Sequence, residues 1–337
     1  MKGMCMQVRE ILSKDEWNET AERFGAHPLQ WWQWGELKVK TGPWTARRLV
    51  CTSDAGEALG GAQVLLRSMP FPFRAMAYVP RGPFAAEGQF QAVADAVAGW
   101  VKANTKAVSL KVDPAIQDFT FASGWKKSET VLINKTAALS LEPTEDELMA
   151  AIPNKKCRQY IRKASRAGIN VRKGTRDDLP AVLALYHETA EADGFGIHAD
   201  EFYEAAFEEL EGIQHFFVAE GEDGIQAFLW NVVSPNGTCF ELWGAVNEAG
   251  KASRANYYMK WVAICAAKEA GAKLYDLNGL LNGGISNFKM LFVSEPTYWV
   301  ETHDKPLSPL YGLMDKALEI RRRRNVEAAA QQDTSRE

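Results

Sequence analysis

With 337 residues, 46% hydrophobic and 24% charged, the chain reads as a globular protein too long for one ordinary core, and two domains of roughly 150 residues are expected. A formal net charge of −4 excludes a general nucleic-acid binder but leaves room for a local basic surface. The five cysteines (Cys5, Cys51, Cys157, Cys239, Cys265) form no CxxC, which argues against a disulfide framework or a zinc site and for a reducing cytoplasm. The N-terminus, MKGMCMQVREILSKDEW, turns charged too early for a signal peptide, and no run approaches the ~20 apolar residues of a spanning helix. A cytoplasmic protein with at most peripheral membrane contact is expected.

In chain order, LVCTSDAGEALGGAQVLLRSM predicts a hairpin, two apolar runs around a Gly/Asp/Ser turn. FQAVADAVAGWVKAN predicts a helix with Phe90, Val93, Val97 and Trp100 on one face. In AVSLKVDP, Val108, Leu110 and Val112 alternate as in a half-buried strand that ends at Asp113. A boundary is expected near residue 143, after which Thr144 and Glu147 have capping-box spacing. Helices over 177–191 and 200–211 follow, the first with Pro180 in its opening turn, where a missing N–H costs nothing. Three strands come next, QHFFVAE, IQAFLWNVV and GTCFELWGA, then a long helix over 253–270, the strand KLYDLNG and the Gly-rich loop LLNGGISNFKMLF. Three strands, a helix and a strand are an acyltransferase-like order. The polar tail from 327 is expected to fray.

Familiar catalytic signatures are missing. GAVNEAGKAS has one residue too many between its glycines and Ala252 after its lysine, so it reads as a strand-to-helix turn rather than a phosphate loop. There is no GxSxG, no HExxH and no histidine pair at metal spacing. The turn before the long helix, VNEAGKASRAN, lacks a pyrophosphate-binding glycine pattern, so acyl chemistry would use a carrier other than coenzyme A.

Three stretches carry positive signals. Nine Lys or Arg fall between Lys155 and Arg176 with no acid among them, and helical spacing gathers Lys155, Arg158, Arg162 and Arg166 on one side beside Tyr160. Either this is a solvated helix face or it binds a phosphate backbone without reading sequence. In SNFKMLF, Lys289 is enclosed by Phe288, Met290, Leu291 and Phe292. It either snorkels out of a core segment or is a fixed cation able to steady an oxyanion. WWQWGELKVKTGPW packs tryptophans beside Lys38 and Lys40.

Together these stretches resemble the FemABX family of peptidoglycan-bridge aminoacyltransferases, over about residues 28 to 305. The matching pieces in order are QWWQWGELK, YVPRGP, LKVDP, PNKKCRQYIRKASRAG, ETAEADGFGIH, ELWGAVNEAGKASRANY, YDLNG and FKMLF. The resemblance implies an α/β (α+β) fold of two acetyltransferase-like (GNAT-type) domains in tandem, without a helical-arm insertion. The first domain would span 1–143, joined by a C-terminal helix 306–326, and the second 144–305. The implied activity is transfer of an amino acid from aminoacyl-tRNA to the stem peptide of a peptidoglycan precursor, UDP-MurNAc-pentapeptide or lipid II, with no metal or organic cofactor. Lys38 would meet the precursor's phosphates, and Phe288 and Lys289 would lie at the reacting ester, with Lys289 as the electrophilic stabiliser. Asp113, at a strand end beside the expected cleft, would take or hold the amine proton. Lys155, Lys156, Arg158, Arg162 and Lys163 would hold tRNA. The chain departs from the family pattern at three precursor-contacting positions, where His198, Phe202 and Trp243 replace an arginine and two tyrosines. The competing readings are a tRNA-dependent ligase with an acceptor outside the wall and a non-catalytic RNA-binding protein. Arg321 to Arg324 are too few for a strong membrane signal and read as a solvated helix end, with contact to an anionic membrane surface as the alternative.

Overall fold

The structure, a computed structural model, describes residues 6–222, 224–281 and 283–320. The first half contains β1 (Gln7–Glu10), α1 (Lys14–Arg23), α2 (Trp32–Thr41), β2 (Trp44–Thr52), β3 (Ala58–Ser68), β4 (Ala75–Pro80), β5 (Phe84–Ala85), α3 (Phe90–Asn104), β6 (Ala107–Asp113) and β7 (Lys126–Lys127). The second contains β8 (Lys135–Ser140), α4 (Glu145–Ala151), α5 (Lys155–Arg166), β9 (Asn170–Lys173), α6 (Leu179–Asp193), α7 (Asp200–Glu209), β10 (Gln214–Gly221), β11 (Gly224–Val233), β12 (Thr238–Val246), α8 (Glu248–Ser253), α9 (Ala255–Glu269), β13 (Leu274–Gly279), α10 (Gly284–Lys289), β14 (Thr297–Tyr298) and β15 (His303–Pro306).

These strands form two sheets on one plan, the tandem acyltransferase-like arrangement. In the first, β2, β3 and β4 are antiparallel neighbours, α3 crosses over, and β6 returns parallel to β4. In the second, β10, β11 and β12 repeat the antiparallel run, α8 and α9 cross over, and β13 returns parallel to β12. Each sheet then gains a strand from the other side of the chain. β15 pairs with β6, and β8 pairs with β13. The sheets therefore divide the chain between β7 and β8, ahead of residue 143, and take back 303–306. Residues 311–320 are helical, and Tyr311 and Met314 pack on Val108 of β6. The rest of the expected 306–326 helix, from 321, lies outside the described residues, as do Arg321 to Arg324.

Local readings hold where local chemistry decides. Thr144 and Glu147 form both halves of the capping box, and α3 buries Val93 and Val97. Three expectations change. β6 is buried at all seven positions, because α3 covers one face while Ser109, Lys111 and Asp113 face further structure on the other. The helix expected over 253–270 is α9, and the turn expected ahead of it coils into a separate short helix, α8, which ends where Arg254 takes φ +66. The segment expected to be a Gly-rich loop coils into α10, which carries Phe288 and Lys289.

The second sheet is covered on both faces. Tyr275, Phe217 and Leu229 join α5 and α9 through Cys157, Ile161, Ala263 and Ile264. On the opposite face, Trp230, Phe228 and Phe240 meet α6 and α7, and also Trp17, Leu29 and Leu37 from the first half. That shared core ties the halves together. Trp17 and Trp230 are 0% and 1% exposed, and complete burial of each such side chain stabilises by about 3 kcal/mol. The ion pairs of Lys40 with Glu208 and Glu209, also across the halves, are exposed and screened by solvent, so they add little. Burial decides this interface.

Candidate active site

The two sheets differ at one place. In the first, the parallel ladder between β4 and β6 runs to the end, Pro80 opposite Asp113. In the second, β12 and β13 share ladder positions only from Thr238 opposite Leu274 to Phe240 opposite Asp276. Beyond those residues the strands part. Half of the residues singled out from sequence, Lys38, His198, Phe202, Trp243, Phe288 and Lys289, gather around this parting, on its two faces.

On one face lies an aromatic basin. Phe202 of α7 stacks on His198 with centroids 3.9 Å apart and meets Trp243 of β12 edge-on at 5.7 Å. The Lys38 ammonium of α2 stands 5.6 Å from the Phe202 ring centroid and 5.7 Å from that of Trp34. Such cation–ring contacts contribute about 0.5–2 kcal/mol, depending on desolvation. Burial lowers the pKa of Lys38, and burial with the Lys38 charge lowers that of His198 below its usual 6.5. The His198 backbone N–H donates to the Tyr203 hydroxyl at 3.2 Å, which ties the loop to α7. Lys38, His198, Phe202 and Trp243 are thus brought together.

On the other face, the Lys289 ammonium donates to the carbonyls of Gly279 at 3.1 Å and Asn278 at 3.3 Å. Burial pushes its pKa down. Behind it lies a closed polar cluster. Lys260 of α9 pairs with Glu241 of β12, both about 5% exposed. The Tyr275 hydroxyl donates to Glu241 at 2.8 Å, and Asn231 donates to Tyr275 at 3.0 Å. A buried ion pair is a weak source of stability, since desolvation offsets most of its attraction, but removing one partner strands a charge. Glu241 and Trp243 are two residues apart, yet they serve opposite faces. The register of β11 against β12 shifts between Trp230 and Asn231, so Leu242 is an extra residue that reverses the alternation.

α5 is amphipathic. Cys157, Ile161 and Ala164 are buried, while Lys155, Lys156, Arg162, Lys163 and Arg166 are exposed. None of these five forms an ion pair among the described residues. Gln159, Arg162, Lys163 and Arg166 line an open recess of about 400 Å³. Arg158 departs from the expected free face: its guanidinium donates to the Ile152 carbonyl at the start of the helix. Tyr160 meets Tyr257 of α9 edge-on at 5.2 Å, and Tyr257 meets Phe288 at 4.9 Å. The basic helix is thereby joined to the Lys289 site by three rings. The Arg254 guanidinium stands 4.7 Å from the Tyr160 centroid.

Asp113 lies apart from both groups, 2% exposed. Its carboxylate accepts from Thr302 and, at 2.5 Å, from Tyr78. Burial raises its pKa, against those bonds and the Arg81 charge. The space expected to open at this strand end is filled, so Asp113 has no free oxygen facing a ligand. Its counterpart in the second sheet, Asp276, is equally enclosed by Thr136, Trp299 and the Asn278 N–H. Arg81, 3% exposed, donates to the Ile133 carbonyl at 2.9 Å and lies within electrostatic reach of both aspartates.

Sequence reasoning missed Tyr257, Glu241, Lys260 and Asn278. A lysine and a glutamate 19 residues apart carry no local pattern. YDLNG offered one signal, an asparagine beside glycine at a strand end, where left-handed backbone is tolerated.

Residues 124–222 match the FemAB family. A lipid II:glycine glycyltransferase of Staphylococcus aureus is 27% identical over 209 residues, covering 55% of this chain and 48% of that protein. The chain thus spans about half the length of the curated relatives it matches. Among solved structures, FemX superposes with a TM-score of 0.80 at 19% identity, over 92% of this chain and 100% of that one. L-PGS from Bacillus licheniformis superposes with a TM-score of 0.54 at 12% identity, over 91% and 96%. No described helix is long and apolar enough to cross a membrane.

Proposed function

We take as premise that this chain belongs to the Fem-type family, and propose that it transfers an amino acid from aminoacyl-tRNA to the stem-peptide amine of a peptidoglycan precursor. One observation carries the reading. A helix bare of counter-charges on its outer face is linked through Tyr160, Tyr257 and Phe288 to a half-buried lysine at the parting of two parallel strands. Lys155, Lys156, Arg162 and Lys163 would hold tRNA phosphates. Arg158 would act from within the helix start rather than on the open face.

The ester carbon of aminoacyl-tRNA is already activated, so the reaction needs no metal or organic cofactor. The acceptor amine attacks that carbon, negative charge develops on the carbonyl oxygen, and collapse breaks the ester bond and expels the tRNA 3′ oxygen, which takes up the proton that the amine nitrogen gives up on becoming an amide. The Lys289 ammonium, poorly screened beside Phe288, would stabilise the oxyanion. The basin of Lys38, His198, Phe202 and Trp243 would receive the precursor from the opposite face. Lys38 is its cation, because the lowered pKa leaves His198 neutral near pH 7. Asp113, enclosed by Tyr78 and Thr302, would support the fold beside the site rather than touch the amine. The relative named for lipid II supports a lipid-linked acceptor; a UDP-linked acceptor met in the cytoplasm is the other form of the same proposal.

The test is a panel of UDP-MurNAc-pentapeptide, lipid II and free peptides incubated with a mixed pool of tRNAs charged with labelled amino acids. Label appearing in a muropeptide is expected. Transfer only to free peptides would move the acceptor outside the wall, and tRNA binding without transfer would make the chain a non-catalytic RNA-binding protein.

A further inference from the structure

We propose that Asn278 is a positioning residue for Lys289, a staple across the gap where β12 and β13 part; its kinetic test, though not its chemical one, rests on the aminoacyl-transfer reading. Past Asp276 the two strands lose their ladder, and that is where the carbonyls receiving Lys289 lie. Unrestrained, the last turn of β13 would move those acceptors. Four contacts fix it, and Asn278 takes part in each. Its side-chain amide donates to the Glu241 carbonyl on β12 at 2.9 Å, bridging the gap directly. Its side-chain oxygen accepts from the Gly279 N–H at 2.6 Å, and its own N–H donates to Asp276 at 2.8 Å. Its carbonyl then receives the Lys289 ammonium.

The backbone reinforces the assignment. Asn278 has φ +65, a region that asparagine tolerates better than most side chains. Opposite β8, Asp276 faces Ala138 while Gly279 faces Thr136, so β13 carries one extra residue there. The extra residue bends the strand and turns both carbonyls toward α10. Gly279 has no room for a side chain, since a Cβ would meet Ile133 at 2.6 Å. The bridge ends on the backbone of Glu241, whose carboxylate is held by Lys260 and Tyr275. The staple is thus anchored to a buried, fully engaged residue. Lys289 is on a six-residue helix beside exposed Leu281 and Ile285, and such a helix does not orient a long side chain by itself.

The test uses Asn278→Gly, which keeps the left-handed backbone available and removes both side-chain bonds. In the folded protein without substrate, the pH-independent rate of Lys289 acylation by acetic anhydride, read by mass spectrometry against Lys38, should rise several-fold. An unchanged ratio would overturn the proposal whatever the protein's activity. In the transfer assay, kcat should fall between about 10-fold and 10²-fold, the cost of a misplaced catalytic group, with KM for tRNA and acceptor nearly constant. In a Lys289→Met background the same substitution should change residual kcat by less than about twofold, because there is no ammonium left to position. Equal losses in both backgrounds would make Asn278 merely structural. If the glycine variant does not fold, Asn278→Asp, which loses the donor to Glu241 but keeps the acceptor for Gly279, takes its place with the same expectations. A wild-type protein that transfers nothing would sink the functional reading, while the acylation ratio still decides the staple.

Discussion

Tyr257 stands edge-on to Phe288, ring centroids 4.9 Å apart and planes at 85°. Because Tyr257 also meets Tyr160, a residue on the face of α5 between its cations touches one that touches the neighbour of Lys289. The basic face of α5 and the Lys289 site on α10 are therefore joined by an unbroken chain of ring contacts.

The outer face of α5 should supply salt-dependent affinity and nothing else. Replacing Lys155, Lys156, Arg162 and Lys163 together with glutamine should weaken tRNA binding. It should also reduce the slope of log affinity against log salt by roughly three, if each cation neutralises one phosphate. Folding should survive, because all four are exposed and form no ion pair among the described residues. Filter binding across a salt series, with acceptor affinity as control, checks this; equal weakening of both substrates would mark the helix as structural.

The basin should respond to acid in one direction. The His198 pKa lies below 6.5, so its charge appears only as pH falls through that lowered value, and affinity for an anionic acceptor should rise on acidification and stay flat above pH 6.5. His198→Arg should flatten the profile between about pH 5.5 and 8 and tighten a UDP-linked acceptor. Calorimetric titration of the two proteins reads this. An unchanged Kd in the arginine variant would place the ligand elsewhere.

Arg81 holds the region where the halves meet. Substitution by methionine leaves Asp113 and Asp276, 2% and 1% exposed, without the buried cation that favours their charged forms. A loss on the order of 3 kcal/mol is expected, visible as a lower urea midpoint, with less from Arg81→Lys. A methionine variant as stable as the parent would show that the two aspartates are already neutral.

Acid should destabilise the fold as its buried histidines take up protons. Burial lowers His27 well below 6.5 and His215 to about 4. For a histidine depressed in the folded state, stability is complete above the unfolded pKa and is lost as pH falls toward the folded value, because the unfolded chain binds the proton first. Urea midpoints should therefore fall between pH 6.5 and 4, and by less in His215→Gln. A flat midpoint across that window would contradict these burial-driven shifts.

Much of this was legible in the chain because it is local. The hairpin of β2 and β3, the apolar face of α3 and the Thr144–Glu147 cap depend on residues a few positions apart. The Arg254 break was not legible, since a left-handed non-glycine residue leaves no compositional trace. Nor was the Leu242 bulge, which exists only relative to β11. Val108, Leu110 and Val112 suggested a half-buried strand because Ser109, Lys111 and Asp113 look solvent-facing until their partners are known. Lys111 meets Asp304 on a strand that arrives almost two hundred residues later. The exposed cations of α5 could be read from spacing, whereas Arg158 turning back to the Ile152 carbonyl could not. Lys38 stood out beside its tryptophans but gained a role, as His198, Phe202 and Trp243 did, only through family resemblance, and Asn278 needed the parting of two strands to be seen.

The proposed transfer depends most on Lys289 stabilising the oxyanion. Lys289→Met keeps the length and apolar character of the stem, so the protein should fold and still bind both substrates. Losing one such donor typically costs 10²–10³ in rate, roughly 2.7–4 kcal/mol. The most direct measurement is single-turnover transfer from preloaded aminoacyl-tRNA by the wild type and by Lys289→Met, with binding of each substrate followed separately. A fall of at least about 10²-fold in the transfer step is expected, with binding nearly unchanged. Transfer at the wild-type rate by a folded Lys289→Met protein would contradict it.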